Sequence, residues 1–361
     1  MKQKVLITVI LMAVSFFVPV AAQPTGSANE VKEALDNHFY NLRHRLDVLE
    51  KKIDDVLWFE RTGDVAHIDK VFLAGEPPRG HETATHPRDQ NPIKFWSYIF
   101  IPKSIDPSKK YPLIVLPHGG VHGDFNTYYT HIIRELMAQQ YIVVAPEYRG
   151  STGYGRVTFE NIDYGGLENA DVDISRQFMI ENYDIVDRNR VGLMGWSHGG
   201  MISLMNIFEN HRDYKCAFAG VPVSDLIARM GYKRPGYEDF FSADYHIGES
   251  VHENIDEYRR RSPVYHAHKL RTPLLIHTNT NDEDVHVLEV ENLINRLKAL
   301  DKDFEYEIFE EIPGGHSFDR MDHAKGREIR FNIYKFLEKH LNPPIKFRNQ
   351  KEMEKAAYRF N

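Results

Sequence analysis

Cysteine is nearly missing from this chain: its 361 residues hold one, Cys216. A single thiol cannot form an intrachain disulfide, so no covalent staple supports the fold. Cys216 lies in "YKCAFAGVPVSD", which reads as a buried strand, and a thiol there is expected to be structural rather than reactive. The glycosylation acceptor N-x-S/T is absent as well. Long basic runs interleaved with aromatics are also lacking, and the formal net charge is −7. That balance argues against nucleic acid as a partner.

What is present begins with a leader. Lys2 and Lys4 precede the apolar run Val5 to Val20, then the small residues Ala21 and Ala22, then the polar opening Gln23-Pro24. This order predicts a signal peptide over residues 1–22, cleaved on export, with a bacterial periplasmic or secreted protein as the product and no stable membrane anchor afterwards. An uncleaved anchor is the alternative, because the run is near the lower length limit for a spanning helix. No cysteine sits at the cleavage site, so a lipid anchor is not expected.

Residues 23–91 read as a helical N-terminal segment and linker. Leu35, Phe39, Leu42, Leu46, Leu49, Ile53 and Val56 recur in alternating steps of four and three, an a/d seam over about three heptads. One reading is a coiled coil that joins copies into a homo-oligomer. The preferred reading is an amphipathic helix that lays this seam on the domain that follows. "PPRGHETATHPRDQN", Pro77 to Asn91, marks a boundary.

From residue 92 to 343 the pattern changes. Strands are expected at Phe95–Pro102, Pro112–Leu116, Ile142–Pro146, Val191–Met194, Cys216–Val221, Leu274–Thr278 and Phe304–Glu310. Helices are expected at Thr127–Gln140, Asp171–Asn182, Gly200–Asn210, Val287–Leu300 and Lys325–Leu341. Short, almost wholly apolar strands alternating with amphipathic helices predict an α/β fold with a mostly parallel, doubly wound sheet covered on both faces. Residues 344–361 read as a charged, peripheral tail.

The chemistry concentrates after strands. "VGLMGWSHGG" places Ser197 in a G-x-S-x-G pattern between a predicted strand and a predicted helix, the setting in which a sharp turn exposes a nucleophilic serine. Serine is a weak nucleophile and needs a base, a group that orients the base, and donors for the oxyanion. The base candidate is His316 in "IPGGHSF", after the last predicted strand. The acid follows the strand before it, in "NDEDVHV": Asp282 is preferred over Glu283 and Asp284, with Asp284 second. Backbone N–H groups of His198 and of Gly119 or Gly120 are the oxyanion candidates. His118 and His122 have H-x-x-x-H spacing, but the glycines between them argue against a metal-binding helix, so no metal and no cofactor is expected.

The chain order serine, acid, histidine is that of the α/β-hydrolase arrangement. "EYRGSTGYG", "GWSHGG", "TPLLIH…NDEDVHV" and "GGHSF" together resemble the catalytic domain of the prolyl oligopeptidase family of serine peptidases, which includes dipeptidyl and acylaminoacyl peptidases. The resemblance covers roughly Pro92 to Asn342. It implies a Ser197, Asp282, His316 triad, places "RGSTGYG" beside the active site, and puts Tyr245 at the substrate pocket, with Tyr232 and Tyr237 as weaker candidates and His118 as a further one. The sequence departs from the family in three ways. About seventy residues lie between the leader and the core, too few for the family's β-propeller. Glu147 stands where asparagine or aspartate is usual. The His277–Asp282 loop is a residue longer than usual, with Thr278 in place of a common glycine. The expected activity is hydrolysis of short peptides through an acyl-enzyme. A carboxylesterase using the same residues and a catalytically silent binding module are the alternatives.

Overall fold

The apolar segments pair into one sheet. The structure is a computed structural model that describes residues 28–78 and 91–358; the expected leader and most of the Pro77–Asn91 linker lie outside them. In chain order the strands are β1 (Ala66–Ala74), β2 (Lys94–Pro102), β3 (Tyr111–Val115), β4 (Ile142–Glu147), β5 (Val186–Trp196), β6 (Cys216–Gly220), β7 (Leu274–Asn279) and β8 (Glu305–Phe309). Their spatial order is β1-β2-β4-β3-β5-β6-β7-β8. β1 and β2 are antiparallel to each other, and β2 is antiparallel to β4. From β4 to β8 every neighbouring pair is parallel. This is the doubly wound α/β-hydrolase sheet that the alternation of strands and helices predicts.

The helices are α1 (Ala28–Thr62), α2 (Thr130–Ala138), α3 (Arg156–Glu160), α4 (Leu167–Asn182), α5 (His198–Glu209) and α6 (Leu226–Tyr232). They continue as α7 (Tyr237–Ser242), α8 (Ile255–Arg260), α9 (Pro263–His266), α10 (Val287–Ala299), α11 (Ala324–Leu341) and α12 (Gln350–Ala357). Successive side chains of one strand serve opposite faces of the sheet. Val115, Leu193 and Ala217 enter a core with Val172 of α4, Ile202 of α5 and Val290 of α10. Their neighbours Ile114, Met194 and Phe218 enter a second core with Ile132 of α2 and Ile333 of α11. Both faces are therefore dry, which is why these strands read as unbroken apolar runs.

Three features depart from expectation. β1 was not anticipated; its side chains alternate between covered and exposed at the sheet's edge, so it lacks the apolar run that marks the central strands. The charged tail is not peripheral: it forms α12, packs on α2, and buries Phe347 and Met353 in the second core. The third departure concerns α1. The chain divides into two compact units, residues 1–45 and 46–361. Of the first, the structure describes the opening turns of α1, where Leu35, Phe39 and Leu42 are exposed.

In the second unit α1 continues to Thr62, and Leu46, Leu49, Ile53 and Val56 are 51–68% exposed. The helix does pack on the domain there, but by a different stripe: Lys51, Trp58 and Thr62 are buried. Trp58 stacks on Phe125 with ring centroids 5.3 Å apart and meets Phe100 edge-on at 5.0 Å. An indole buries more surface than a leucine, and Lys51 finds carboxylates on the domain, so this face outcompetes the leucine seam.

The second core can be probed at two residues that it encloses. Trp58→Ala lowers unfolding free energy by about 3–5 kcal/mol, measured by denaturant titration, as expected for truncating a fully buried aromatic; a loss below about 1 kcal/mol would show that α1 is not part of the cooperative unit. His277 on β7 sits edge-on between Phe218 and Phe309. Burial depresses its pKa to about 3 from 6.5. The unfolded state therefore binds the extra proton between these values, so stability present above pH 6.5 is lost as the pH falls toward 3. His277→Leu makes that acid-side loss shallower by up to about 1.4 kcal/mol per pH unit. Parallel stability profiles for the two proteins between those values would refute it.

Candidate active site

The carboxyl ends of the parallel strands bring the candidate residues to one edge. β5 ends at Trp196 and α5 begins at His198, leaving Ser197 alone to turn the chain. Its φ of 59° and ψ of −122° are strained for a residue with a side chain. The turn holds because Ser197 N donates to Gly220 O at 2.9 Å, and because glycines stand two residues to either side. A Cβ on Gly195 would collide with the Gly199 carbonyl, and one on Gly199 with Pro117 O.

Asp282 and His316 meet. His316 Nδ1 lies 2.9 and 2.7 Å from the two Asp282 carboxylate oxygens. Asp282 Oδ1 also accepts from the backbone N–H groups of Asp284 and Val285, both at 2.8 Å. Its side chain is fully buried, so the carboxylate is fixed before it reaches the ring. The other two acids of the loop do different work. Glu283 Oε2 accepts from His316 N at 3.1 Å. Asp284 is about half exposed and pairs with Arg229 at 3.0 Å and with Lys233. Burial works to raise the Asp284 pKa, but Arg229, Lys233 and His316 outweigh it and hold it down to about 2. His316 Nε2 lies 3.7 Å from Asp284 Oδ2, and no hydrogen bond joins it to Ser197 among the described residues. A further tie links the serine turn to the histidine loop: Trp196 Nε1 donates to the buried Asp319 at 2.6 Å.

The loop after β3 faces the serine from the other side. A Cβ on Gly119 would lie 3.4 Å from Ser197 Cβ. Gly120 has φ of 83°, and its carbonyl oxygen is 3.2 Å from His198 Nδ1. The His198 side chain is buried rather than lining a pocket: its Nε2 lies 3.1 Å from Glu168 and its ring packs against Tyr164. His118 needs correction as well. It was a pocket candidate, but it is fully buried behind the loop, stacked on Tyr148 with centroids 4.2 Å apart. Its Nε2 is 2.9 Å from Ser151 Oγ, and burial drives its pKa down to about 3. A neutral, fully paired imidazole of this kind shapes the loop from behind.

"RGSTGYG" does pack here: Thr152 N donates to Gly123 O at 3.0 Å, and Ser151 reaches His118. Behind it Arg149 forms a bidentate pair with buried Asp171, at 2.7 and 2.8 Å. Just before it, Glu147 is fully buried and bonded to Lys51 of α1 at 2.6 Å. Burial raises the Glu147 carboxyl to about 7, with Lys51 opposing.

Tyr232 and Tyr245 stand apart. Tyr232 lines a cavity of about 540 Å³ beside Asp282, together with Lys233, Tyr237, Asp284 and His286. Its hydroxyl accepts from Arg229 at 2.9 Å and donates to Glu289. Tyr245 belongs to an aromatic group with Phe159, His122 and His246, bordering the loop that carries Gly119 and Gly120. Lys51, Glu168 and Asp319 carry no local sign of their contribution, because each acts across a long stretch of chain and belongs to no local motif.

Comparison with known proteins agrees with this architecture. The pattern of the prolyl oligopeptidase family matches residues 127–344. The uncharacterized peptidase YuxL of Bacillus subtilis (strain 168) is 29% identical over 247 residues, 68% of this chain and 37% of that protein. The acylamino-acid-releasing enzyme of Mus musculus is 28% identical over 240 residues, 60% of this chain and 32% of that enzyme. The chain thus spans about a third of the length of these relatives. Among solved structures, the Pyrococcus horikoshii acylaminoacyl peptidase superposes with a TM-score of 0.63 at 18% identity, over 81% of this chain and 45% of that one. A Mycobacterium tuberculosis puromycin-hydrolyzing peptidase gives 0.62 at 21% identity, over 78% and 40%. With its serine turn and acid–histidine pair at one edge of an α/β-hydrolase sheet, and the family pattern running over most of that domain, the chain belongs to the prolyl oligopeptidase family.

Proposed function

We propose that this protein is a serine peptidase that hydrolyses short peptides through an acyl-enzyme on Ser197. The observation that carries the reading is the Asp282–His316 pair, at 2.7 Å, gathered at the same sheet edge as a serine on a strained turn. A relative whose name specifies a peptidase favours peptide bonds over esters.

The chemistry assigns each group one task. With Asp282 accepting from Nδ1–H, the imidazole keeps its Nε2 lone pair for the serine proton. Ser197 Oγ attacks the carbonyl carbon as Nε2 takes that proton, which draws the ring away from Asp284 and toward Ser197. The C–O bond forms, and the oxyanion is held by the His198 N–H and by an N–H from Gly119 or Gly120. Collapse breaks the C–N bond, and His316 passes its proton to the leaving amine. Water, deprotonated by the same histidine, then releases the acyl group and returns Ser197. Arg229 and Lys233 hold Asp284 in ion pairs, so its charge is partly answered and it competes weakly for the ring. The cavity lined by Tyr232 and Tyr237 gives a short peptide room beside Asp282.

The test is turnover of matched peptide-amide and ester substrates by purified wild type and variants, with fluorophosphonate labelling alongside. Ser197→Ala is expected to lower kcat by about a million-fold and Asp282→Asn by about ten-thousand-fold. Both should leave the fold intact, since each replacement is close to isosteric. Peptide cleavage that survives Ser197→Ala would sink the mechanism. Turnover confined to esters would sink the peptidase assignment and leave the triad standing.

A further inference from the structure

The loop that faces Ser197 is anchored at its far end by a helix that lies before the segment matching the family pattern. Lys51 of α1 is buried, and its Nζ donates to Phe125 O at 2.6 Å and to Asp124 Oδ2 at 2.9 Å. It also contacts Glu147 Oε1 at 2.6 Å. Glu147 in turn accepts from Phe125 N with both carboxylate oxygens, at 3.2 Å each. One turn further along α1, Asp54 accepts from Thr127 N at 3.0 Å and from Thr127 Oγ1 at 2.6 Å. Both the N–H and the C=O of Phe125 are therefore spoken for by an ion pair, not by a strand or helix ladder.

That fixed point is passed back toward the serine through a tight turn. Gly123 N donates to Gly120 O at 3.3 Å, and Gly123 sits so close on the Gly119 carbonyl that a Cβ there would collide with it. Gly119 borders Ser197, and Gly120 O meets the His198 ring. Glu147 is fully buried, and a carboxylate there requires a cation. Lys51 supplies it from outside the matched region, and Gly153 of "RGSTGYG" leaves space for its stem: a Cβ at Gly153 would lie 2.7 Å from Lys51 Cβ.

We propose that Lys51 is a positioning residue for hydrolysis at Ser197: through Asp124, Phe125 and Glu147 it holds the Gly119–Gly123 loop at the distance at which a backbone N–H meets the oxyanion. The inference rests on the acyl-enzyme reading above. It adds that the N-terminal helix is part of the catalytic apparatus. The oxyanion exists only after attack, so a slack loop weakens transition-state binding while leaving ground-state binding nearly unchanged.

The experiment uses the full chain as wild type, Lys51→Met, Lys51→Arg, the double variant Lys51→Met/Glu147→Gln, and Ser197→Ala. kcat and KM are measured on one peptide-amide substrate, and folding is followed by denaturant titration. The double variant removes the unpaired buried carboxylate that would burden Lys51→Met, so it separates stability from loop position. It is expected to fold, with kcat down about tenfold or more and KM within about twofold. Lys51→Arg, which keeps a cation in place, is expected to recover most of the kcat. A folded double variant with wild-type kcat overturns the proposal, and so does a loss confined to KM. Failure of the double variant to fold also overturns it, since Lys51 would then be a folding determinant. Ser197→Ala keeps the two readings apart: cleavage that persists in it removes the acyl-enzyme and this inference together, whereas cleavage lost there but unaltered in the double variant removes this inference alone.

Discussion

Much of the molecule answers to one backbone constraint: a serine with φ of 59° at the end of the central strand. An L-residue in that region costs on the order of 1–3 kcal/mol and persists only when its surroundings leave no alternative. Here they leave none. Gly195 and Gly199 let the strand and helix close to within contact, Gly220 O takes the serine's N–H, and Trp196 is tied to Asp319 on the histidine loop. The parallel sheet makes the constraint useful. Because β5, β7 and β8 run in the same direction, the serine and the loops bearing Asp282 and His316 all leave at the same edge.

Around this edge, docking is specified by buried ion pairs as much as by apolar contact. Arg149 grips Asp171 of α4, Arg330 of α11 reaches Glu135 of α2, and Lys51 of α1 reaches Glu147 at the end of β4. Such pairs add little net stability, because desolvation offsets most of the attraction. Their effect is on register: a helix displaced along its axis would strand a charge in a dry interior, so only one placement of each is tolerated. An oxyanion site needs that kind of precision, since a donor misplaced by about 1 Å forfeits much of its effect.

The sheet, its helices and the serine–acid–histidine order could be read from the sequence because each is encoded locally. β3 and β6 are continuous apolar runs, β7 opens with one, and Ser197, Asp282 and His316 each follow a strand within a short glycine- or acid-rich loop. What escaped was encoded at a distance. Periodicity identified α1 as a helix but pointed to the wrong face, because Trp58 and Lys51 pack by virtue of partners on β2 and in the Asp124–Phe125 loop. The strand β1 alternates in burial as an edge strand does and carries no apolar run. α12 hid behind its charges, although Phe347 and Met353 carry it into the core. His118 is a pocket candidate by sequence, but its stacking on Tyr148 shows that it points inward.

The anchoring of α1 also bears on the order in which the chain can acquire its structure. Lys51 is synthesised well before Glu147, and β1 before β2, with which it pairs. Until β4 is in place, Lys51 lacks Glu147, its fully buried partner, and β2, which carries Phe100 under Trp58, lacks its neighbouring strand. β4 in turn needs β3 beside it, and β3 needs β5, whose register comes from still later sequence. The first-made part of this domain is therefore among the last to dock, and closing that contact completes both the core and the wall of the active site in one event.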